Sequence, residues 1–446
     1  MPHNAILDIL KRSTGPVTPL VKEVLATKET DLRSRHLSGA TGREICTSYT
    51  ELVDNLLKAL FLLKSGELGC EDDMALVAIG GYGRGELNVR SDIDLMLLHK
   101  GRITKSLEEL TQQLLYILWD TGLDMGFSIR SVAESVQLAK DDLKTLTALL
   151  DVRFIFGDEE LYATLHKNIR KQLFSAGRTQ EFINDKLEET RQRHARFGGS
   201  VYILEPNVKE GEGGLRDLHT AMWALKAKDG KTFEPFSLGL INAADRRSLE
   251  TSLDFILWVR NELHFGAGRK ADQLTFDHQE RIAALMGFQN TEKSLAVEAF
   301  MQKYYRHASN LNYYSNLILS RTLHRDTKKS LWPGKKVRVD RNFHITGGVL
   351  SAKSSHTIKD DPVAAMKAFE YSQAFDVEID QATKDLILEH IESAGEAIRS
   401  SREASDSFLK ILRGKNVYKT LAEMARLRFL DSYIPEFEEI SCKVQH

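Results

Sequence analysis

Two aspartates, Asp92 and Asp94, stand at the start of an apolar run, Ile93 to Leu98. Side chains two positions apart on a strand share a face, so this spacing presents two carboxylates together. A second apolar run, Met74 to Ile79, ends at Gly80-Gly81, with Gly83 and Gly85 close behind. Carboxylate oxygens suit a hard divalent cation, and Mg2+ takes one or two carboxylates plus the phosphate oxygens of a substrate. Glycine lacks a Cβ, so a triphosphate can come close to the backbone there. The free N–H groups of a helix start favour an anion. The stretch 74–98 therefore suits metal-assisted transfer of a phosphorus group, which needs mainly positioning and charge neutralisation. Asp92 and Asp94 are the expected catalytic pair and the ligands of a Mg2+ cofactor. Gly80, Gly81 and Ser91 are the expected phosphate cradle, with Arg84 stabilising charge. Taken singly, Asp-x-Asp is common at turns and glycine clusters are common in loops. Their order, strand, Gly-Gly, Asp-Ile-Asp, strand, favours the functional reading.

A second cluster lies at LEPNVKEGEGGLRDLHT, residues 204–220. Gly213 and Gly214 precede an expected helix start near Leu215, and Lys209 and Arg216 could neutralise triphosphate charge or meet the base and ribose. On composition, a nucleotide site and a tight inter-helix loop are equally good readings. Arg260 and His264 are four apart and share a helix face. A polar network between helices is the better reading for them, because nucleotidyl transfer does not demand a histidine. The sequence has no Walker A motif, no zinc spacing and no nucleophile elbow. Its glycine turn precedes a strand rather than the long helix of a dinucleotide site.

Around these residues the periodicity predicts the scaffold. A helix is expected from about Val17, an amphipathic helix over 42–65, and another over Lys105 to Trp119. Met125 to Ser131 reads as a short strand. From about 132 to 325 helices dominate, among them Asp142 to Phe156, a solvated Thr179 to Arg196, and Thr291 to His324 with a packing stripe of Phe300, Tyr304, Tyr305, Leu311 and Tyr314. Residues 325–341 are basic, contain Trp332 and Pro333-Gly334, and read as a connector; 343–352 suits a short strand or hairpin. Asp361-Pro362 is a helix start signal. The chain has 446 residues and a formal net charge of -2, so no global basic field draws it to nucleic acid or membrane. Cys46, Cys70 and Cys442 have no disulfide or metal spacing, which fits a reducing cytoplasm. No segment has a signal peptide's apolar core or a membrane-spanning length.

The order GGYGRGEL, SDIDLMLL, LWDTGLDMGFSIRS, ALLDVRFIFGD, RHARFGGSVYILEPNVKEGEGGLRDLHT and YIPEFEEI resembles the bifunctional PII uridylyltransferase/uridylyl-removing enzymes, from about Gly42 to the end. At a coarser level the glycine turn and Asp-Ile-Asp resemble the DNA polymerase beta superfamily of nucleotidyltransferases. The resemblance implies an α+β fold. An N-terminal extension (1–41) would precede a nucleotidyltransferase domain with a mixed sheet (42–140) and a helical domain closing the cleft (141–325). A basic linker (326–352) and an incomplete all-α HD-type region (353–446) would follow. It implies UTP as donor, a tyrosine of the PII signal protein as acceptor, and a role in nitrogen regulation. It tips Gly213, Gly214, Lys209 and Arg216 towards the nucleotide site. Many such enzymes carry a third carboxylate on the next strand; here that place falls on Ser128, which is not a metal ligand of that kind, and of the candidate substitutes Asp124 and Asp151 the former reads better as a loop aspartate. The sequence has no His-Asp dipeptide and stops at His446, so uridylyl removal and glutamine-sensing ACT modules are expected to be missing, whether in a fragment or a short form. Transfer to a different base or acceptor, and a non-catalytic nucleotide sensor, remain the alternatives.

Overall fold

The computed structural model describes residues 2–12, 15–69, 74–174, 176–229, 239–292, 294–324 and 337–440. The chain divides between Thr322 and Leu323 into two compact units. The expected connector residues 325–336, with Trp332, Pro333 and Gly334, lie outside the described residues, as do Cys70 and Cys442.

The first unit opens with helices α1 (His3–Arg12), α2 (Val17–Leu37) and α3 (Gly42–Leu68). Thr41 starts α3 with a capping box: its hydroxyl accepts from Glu44 N–H, and the Glu44 carboxylate accepts from Thr41 N–H. Then come β1 (Met74–Ala78), the short α4 (Gly80–Gly83), β2 (Ile93–His99), α5 (Lys105–Asp120) and β3 (Met125–Ser131). They are followed by α6 (Val132–Asp141), α7 (Leu143–Leu150), β4 (Arg153–Gly157) and α8 (Glu159–Leu173). The four strands form one sheet in the order β3-β2-β1-β4. β2 and β3 are parallel, and the other pairings are antiparallel.

Both faces of this sheet are covered. Leu76, Ile93, Leu95 and Leu97 pack with Ile45, Val53, Leu56 and Leu60 of α3 and Leu110 and Leu114 of α5. Ala75, Val77, Met96 and Leu98 pack with Val136 and Ala139 of α6 and Leu161 and Leu165 of α8. Strands buried on both sides read as continuous apolar runs, and this is why β1 and β2 are legible in the sequence. The expected single helix over Asp142 to Phe156 is instead α7 followed by β4. α7 ends at Asp151, and the β-branched and aromatic Val152-Arg153-Phe154-Ile155-Phe156 then pairs with β1.

The helical remainder is α9 (Ala176–Arg196), α10 (Leu215–Asp229), α11 (Ala243–Ala267), α12 (Phe276–Leu285) and α13 (Ala296–His324). On α13 the expected stripe is packing: Phe300, Tyr304, Tyr305, Leu311 and Tyr314 are buried. α11 lies against α3 so closely that a Cβ at Gly42 would collide with the backbone of Leu257 and Trp258.

The second unit contains β5 (Val337–Arg338), β6 (Phe343–Thr346), β7 (Val349–Ala352) and α14 (Thr357–Asp360). After them come α15 (Val363–Phe375), β8 (Glu378–Ile379), α16 (Gln381–Arg399), α17 (Arg402–Arg413), α18 (Val417–Arg426), α19 (Phe429–Tyr433) and α20 (Pro435–Ile440). The stretch 343–352 is the β6–β7 hairpin, and its Phe343 and Leu350 share a core with Phe369, Ile387 and Phe429. Residues 337–352, expected within the linker, are thus part of this folded unit. Among the described residues, no helix is long and apolar enough to cross a membrane.

Candidate active site

β1 delivers the chain to Gly80, whose φ of 58° lies in the left-handed region that glycine adopts without cost. Ile79 N–H donates to the Asp94 carbonyl at 3.0 Å, tying the turn to the start of β2. A Cβ on Gly80 would lie 3.1 Å from Asp94 Oδ2, so the turn closes directly on that carboxylate. On the other side, register places Asp94 beside Gly126 of β3, and Ser128 beside Met96. The position facing Asp94 is therefore Gly126, not Ser128. A Cβ there would meet Asp94 Oδ1 at 2.5 Å.

A cavity of about 320 Å3 opens beside this corner. Eight of the expected residues line it: Gly80, Gly81, Arg84, Ser91, Asp92, Asp94, Lys209 and Arg216. Gly213 and Gly214 do not. Gly213 has φ 76°, a Cβ on it would press on the Ala308 carbonyl at 2.5 Å, and its N–H donates to Asp217 Oδ2 at 2.8 Å. These glycines shape the loop that carries Lys209 and Arg216 rather than the cavity wall.

The two carboxylates are unequal. Asp92 Oδ2 accepts from Lys270 Nζ at 2.5 Å. Burial opposes its ionisation, but Lys270 and Lys209 hold the Asp92 carboxyl below its usual range. Asp94 has no side-chain donor among the described residues, and burial, then the neighbouring Asp92, push its carboxyl up. Asp92 Oδ1 and the Ser91 hydroxyl are buried without a partner. Unpartnered oxygens on two adjacent carboxylates form a donor set that fits a hard cation such as Mg2+. Among the described residues, no group of three or more His, Cys, Asp or Glu is arranged to hold a metal.

Cations dominate the rest of the wall. Burial, then Arg260 and Arg216, push the Lys209 ammonium down to about 8. Arg216 is held by Glu210, with Nη2 to Oε1 at 2.8 Å. Lys186, Arg216 and Arg84 surround the Trp223 indole at 4.6, 5.4 and 5.8 Å from ring centroid. Glu86 accepts from Arg84 Nε and is paired with His219 Nε2, both at 3.2 Å. Burial, then Arg84, push the His219 imidazole down to about 4, so it is neutral beside an ionised Glu86.

Asp151 is no stand-in for a third metal carboxylate. Its side chain is buried and accepts from Arg84 Nη1 at 2.7 Å, Trp223 Nε1 at 2.8 Å and Lys226 Nζ at 2.6 Å. It fixes Arg84 and the indole from behind. The expected solvated face of α9 is also corrected. Lys186 and Arg193 are buried, and Arg193 donates to Asp217 Oδ1 at 2.5 Å and to the Glu210 carbonyl at 2.6 Å, pinning the 204–214 loop. His264 belongs to a buried network: Nδ1 contacts the Val89 carbonyl at 2.8 Å and Nε2 contacts Asp272 Oδ1 at 3.1 Å. Arg260 donates to the same Asp272 oxygen at 2.7 Å. This network holds the segment that carries Lys270.

Sequence reasoning missed Lys270, Glu86, Lys144, Lys186, His219 and Trp223. Glu86 lies in the same 74–98 stretch as the aspartates; only tertiary folding brings the others to Asp92 and Asp94, with Gly268, the left-handed cap that turns the chain towards Lys270, as a local signal.

The first unit is thus an α+β protein whose cavity sets two carboxylates on a glycine turn against a wall of cations. Residues 181–319 match the family model described as GlnD PII-uridylyltransferase, and residues 343–433 match the one described as uridylyltransferase GlnD third domain. Curated relatives align across most of the chain. A bifunctional uridylyltransferase/uridylyl-removing enzyme of Erythrobacter litoralis is 32% identical over 98% of this chain and 49% of its own length. One of Cereibacter sphaeroides is 36% identical over 83% of this chain and 41% of its own. One of Caulobacter vibrioides is 32% identical over 98% and 47%. Over these stretches the chain is similar to the GlnD uridylyltransferases, and it spans about half the length of the curated relatives it matches.

Proposed function

We propose that this chain is a nucleotidyltransferase that moves a uridylyl group from UTP to a tyrosine hydroxyl of a PII signal protein. The tyrosine oxygen bonds to the α-phosphorus, the bond to the β-phosphate bridge breaks, pyrophosphate leaves with the electron pair, and the hydroxyl proton ends in solvent. The observation that carries this reading is Asp92 and Asp94 meeting the Gly80-Gly81 turn in one cavity with Arg84, Lys209 and Arg216. Asp92 and Asp94 would hold Mg2+, which when bound supplies charge neutralisation at the phosphates. Gly80, Gly81 and Ser91 let the triphosphate approach the backbone. Lys209, Arg216 and Arg84 face its negative charge, with Arg84 fixed by Asp151 and Glu86. In this reading residues 42–140 are a domain of the DNA polymerase beta superfamily and 141–325 close its cleft, in a cytoplasmic enzyme of nitrogen regulation. The region 353–446 opens an HD-type domain.

Incubation with a PII protein, Mg2+ and UTP labelled at either the α- or the γ-phosphate tests it. The α-label is expected on PII and the γ-label in pyrophosphate, with ATP and CTP poor donors. Label on PII from the γ-position, or equal use of all nucleotides without PII, would overturn it.

A further inference from the structure

A second cavity of about 480 Å3 adjoins the first. Ser91 lines both, and Lys270, on the wall of the second, reaches Asp92 on the wall of the first. The two spaces therefore meet at Ser91 and at the Lys270–Asp92 contact. Phosphoryl-type transfer places attacking and leaving oxygens roughly in line. A triphosphate lying among Gly80, Lys209 and Arg216 fills the first cavity, so the acceptor hydroxyl must come from another side of the pair. The second cavity is that side.

Its chemistry describes the guest. Leu25 and Leu123 give it an apolar floor, while Lys22, Arg90, Arg269 and Lys270 outnumber Glu29 and Asp124 on its walls. Arg269 makes no hydrogen bond or ion pair among the described residues. Arg90 is held at φ 62°, a conformation that a residue with a Cβ rarely adopts and that surrounding structure must maintain. Its guanidinium donates to the Gly268 carbonyl at 3.0 Å and to Glu29 at 2.7 Å, fixing the rim. A volume in the range of roughly 300–1,000 Å3 suits ligand pockets.

We propose that this cavity receives the acceptor: a hydroxyl-bearing aromatic side chain on a protein segment flanked by acidic residues, with Ser91 and Lys270 at the junction with the nucleotide. The assignment rests on the transferase reading and adds where the partner docks and what charge it carries. The test is the double variant Lys22→Glu/Arg269→Glu, neither residue touching the first cavity. Binding of PII, by surface-based equilibrium titration, is expected to weaken at least about tenfold and to lose its salt dependence. Affinity for UTP with Mg2+ and the midpoint of thermal unfolding should match wild type, which shows that the fold is intact. A second probe compares tyrosine peptides with acidic and with neutral flanks; wild type should prefer the acidic one and the variant should not. Unchanged PII binding overturns the inference and leaves the transferase reading standing. Weakened UTP binding overturns it too, by assigning the cavity to the nucleotide. No label transfer in wild type overturns both.

Discussion

Lys270 Nζ lies 2.5 Å from Asp92 Oδ2, although 178 positions separate the two residues. The contact closes α11's outgoing loop onto the start of β2 and neutralises one carboxylate of the pair, while Asp94 has no side-chain donor among the described residues. The site is thus half-compensated: one acid is ionised at little cost, and its neighbour is held in repulsion and partial burial.

That asymmetry has a pH signature. The folded-state carboxyl of Asp94 is raised above its unfolded value, so the folded protein binds more protons in the window just above the usual carboxylate range. Stability must fall as pH rises through that window. Asp94→Asn should flatten this fall in urea titrations at successive pH values, without lowering stability at neutral pH. Turnover of Asp92→Asn and of Asp94→Asn should drop roughly a thousandfold or more.

Gly126 gives a test of the register. Gly126→Ala places a methyl 2.5 Å from the present position of Asp94 Oδ1, so the carboxylate must move. Misplacement on the order of 1 Å can cost about a hundredfold in rate. Steady-state kinetics should show kcat falling by about tenfold to a hundredfold, with far-UV circular dichroism unchanged.

Asp151 should behave as structure. Removing one member of a buried, fully bonded charge group costs about 3–5 kcal/mol, and Asp151 is bonded to Arg84, Trp223 and Lys226. Asp151→Ala should lose that much in denaturant unfolding and shift Trp223 fluorescence. Divalent-cation affinity measured below the unfolding transition should stay close to wild type.

Burial, then Arg260 and Arg216, push Lys209 down to about 8. As pH rises through that value the ammonium is lost, and with it a charge-assisted contact worth about tenfold in affinity for a triphosphate. Nucleotide affinity should therefore fall between pH 7 and 9, and binding above pH 8 should take up a proton, detectable by calorimetry in buffers of different ionisation enthalpy. Lys209→Arg should flatten the profile.

The core of this site was legible because its pattern is local. β1, the glycine turn, Asp92, Asp94 and β2 lie within 74–98, and strands covered on both faces are apolar throughout. Helices α3, α5 and α13 were legible from 3.6-residue periodicity. β4 was not, because an apolar five-residue strand placed directly after a helix looks like another helical turn until β1 is there to pair with it. Lys186 and Arg193 sit in a highly charged helix whose composition says solvent; Trp223 and Asp217 are what bury them. Gly213 and Gly214 looked like a phosphate loop, yet their freedom from a Cβ serves contact with Ala308 and with the loop backbone. Lys270 carried no motif, since its partner is supplied by the fold.

The most direct test is anomalous diffraction from crystals grown with Mn2+ and a non-hydrolysable UTP analogue. One manganese peak shared by Asp92 and Asp94 is expected, with the α-phosphate on that ion and the triphosphate along Gly80-Gly81. A metal bound elsewhere, with Lys270 still on Asp92 and the nucleotide away from both aspartates, would contradict it.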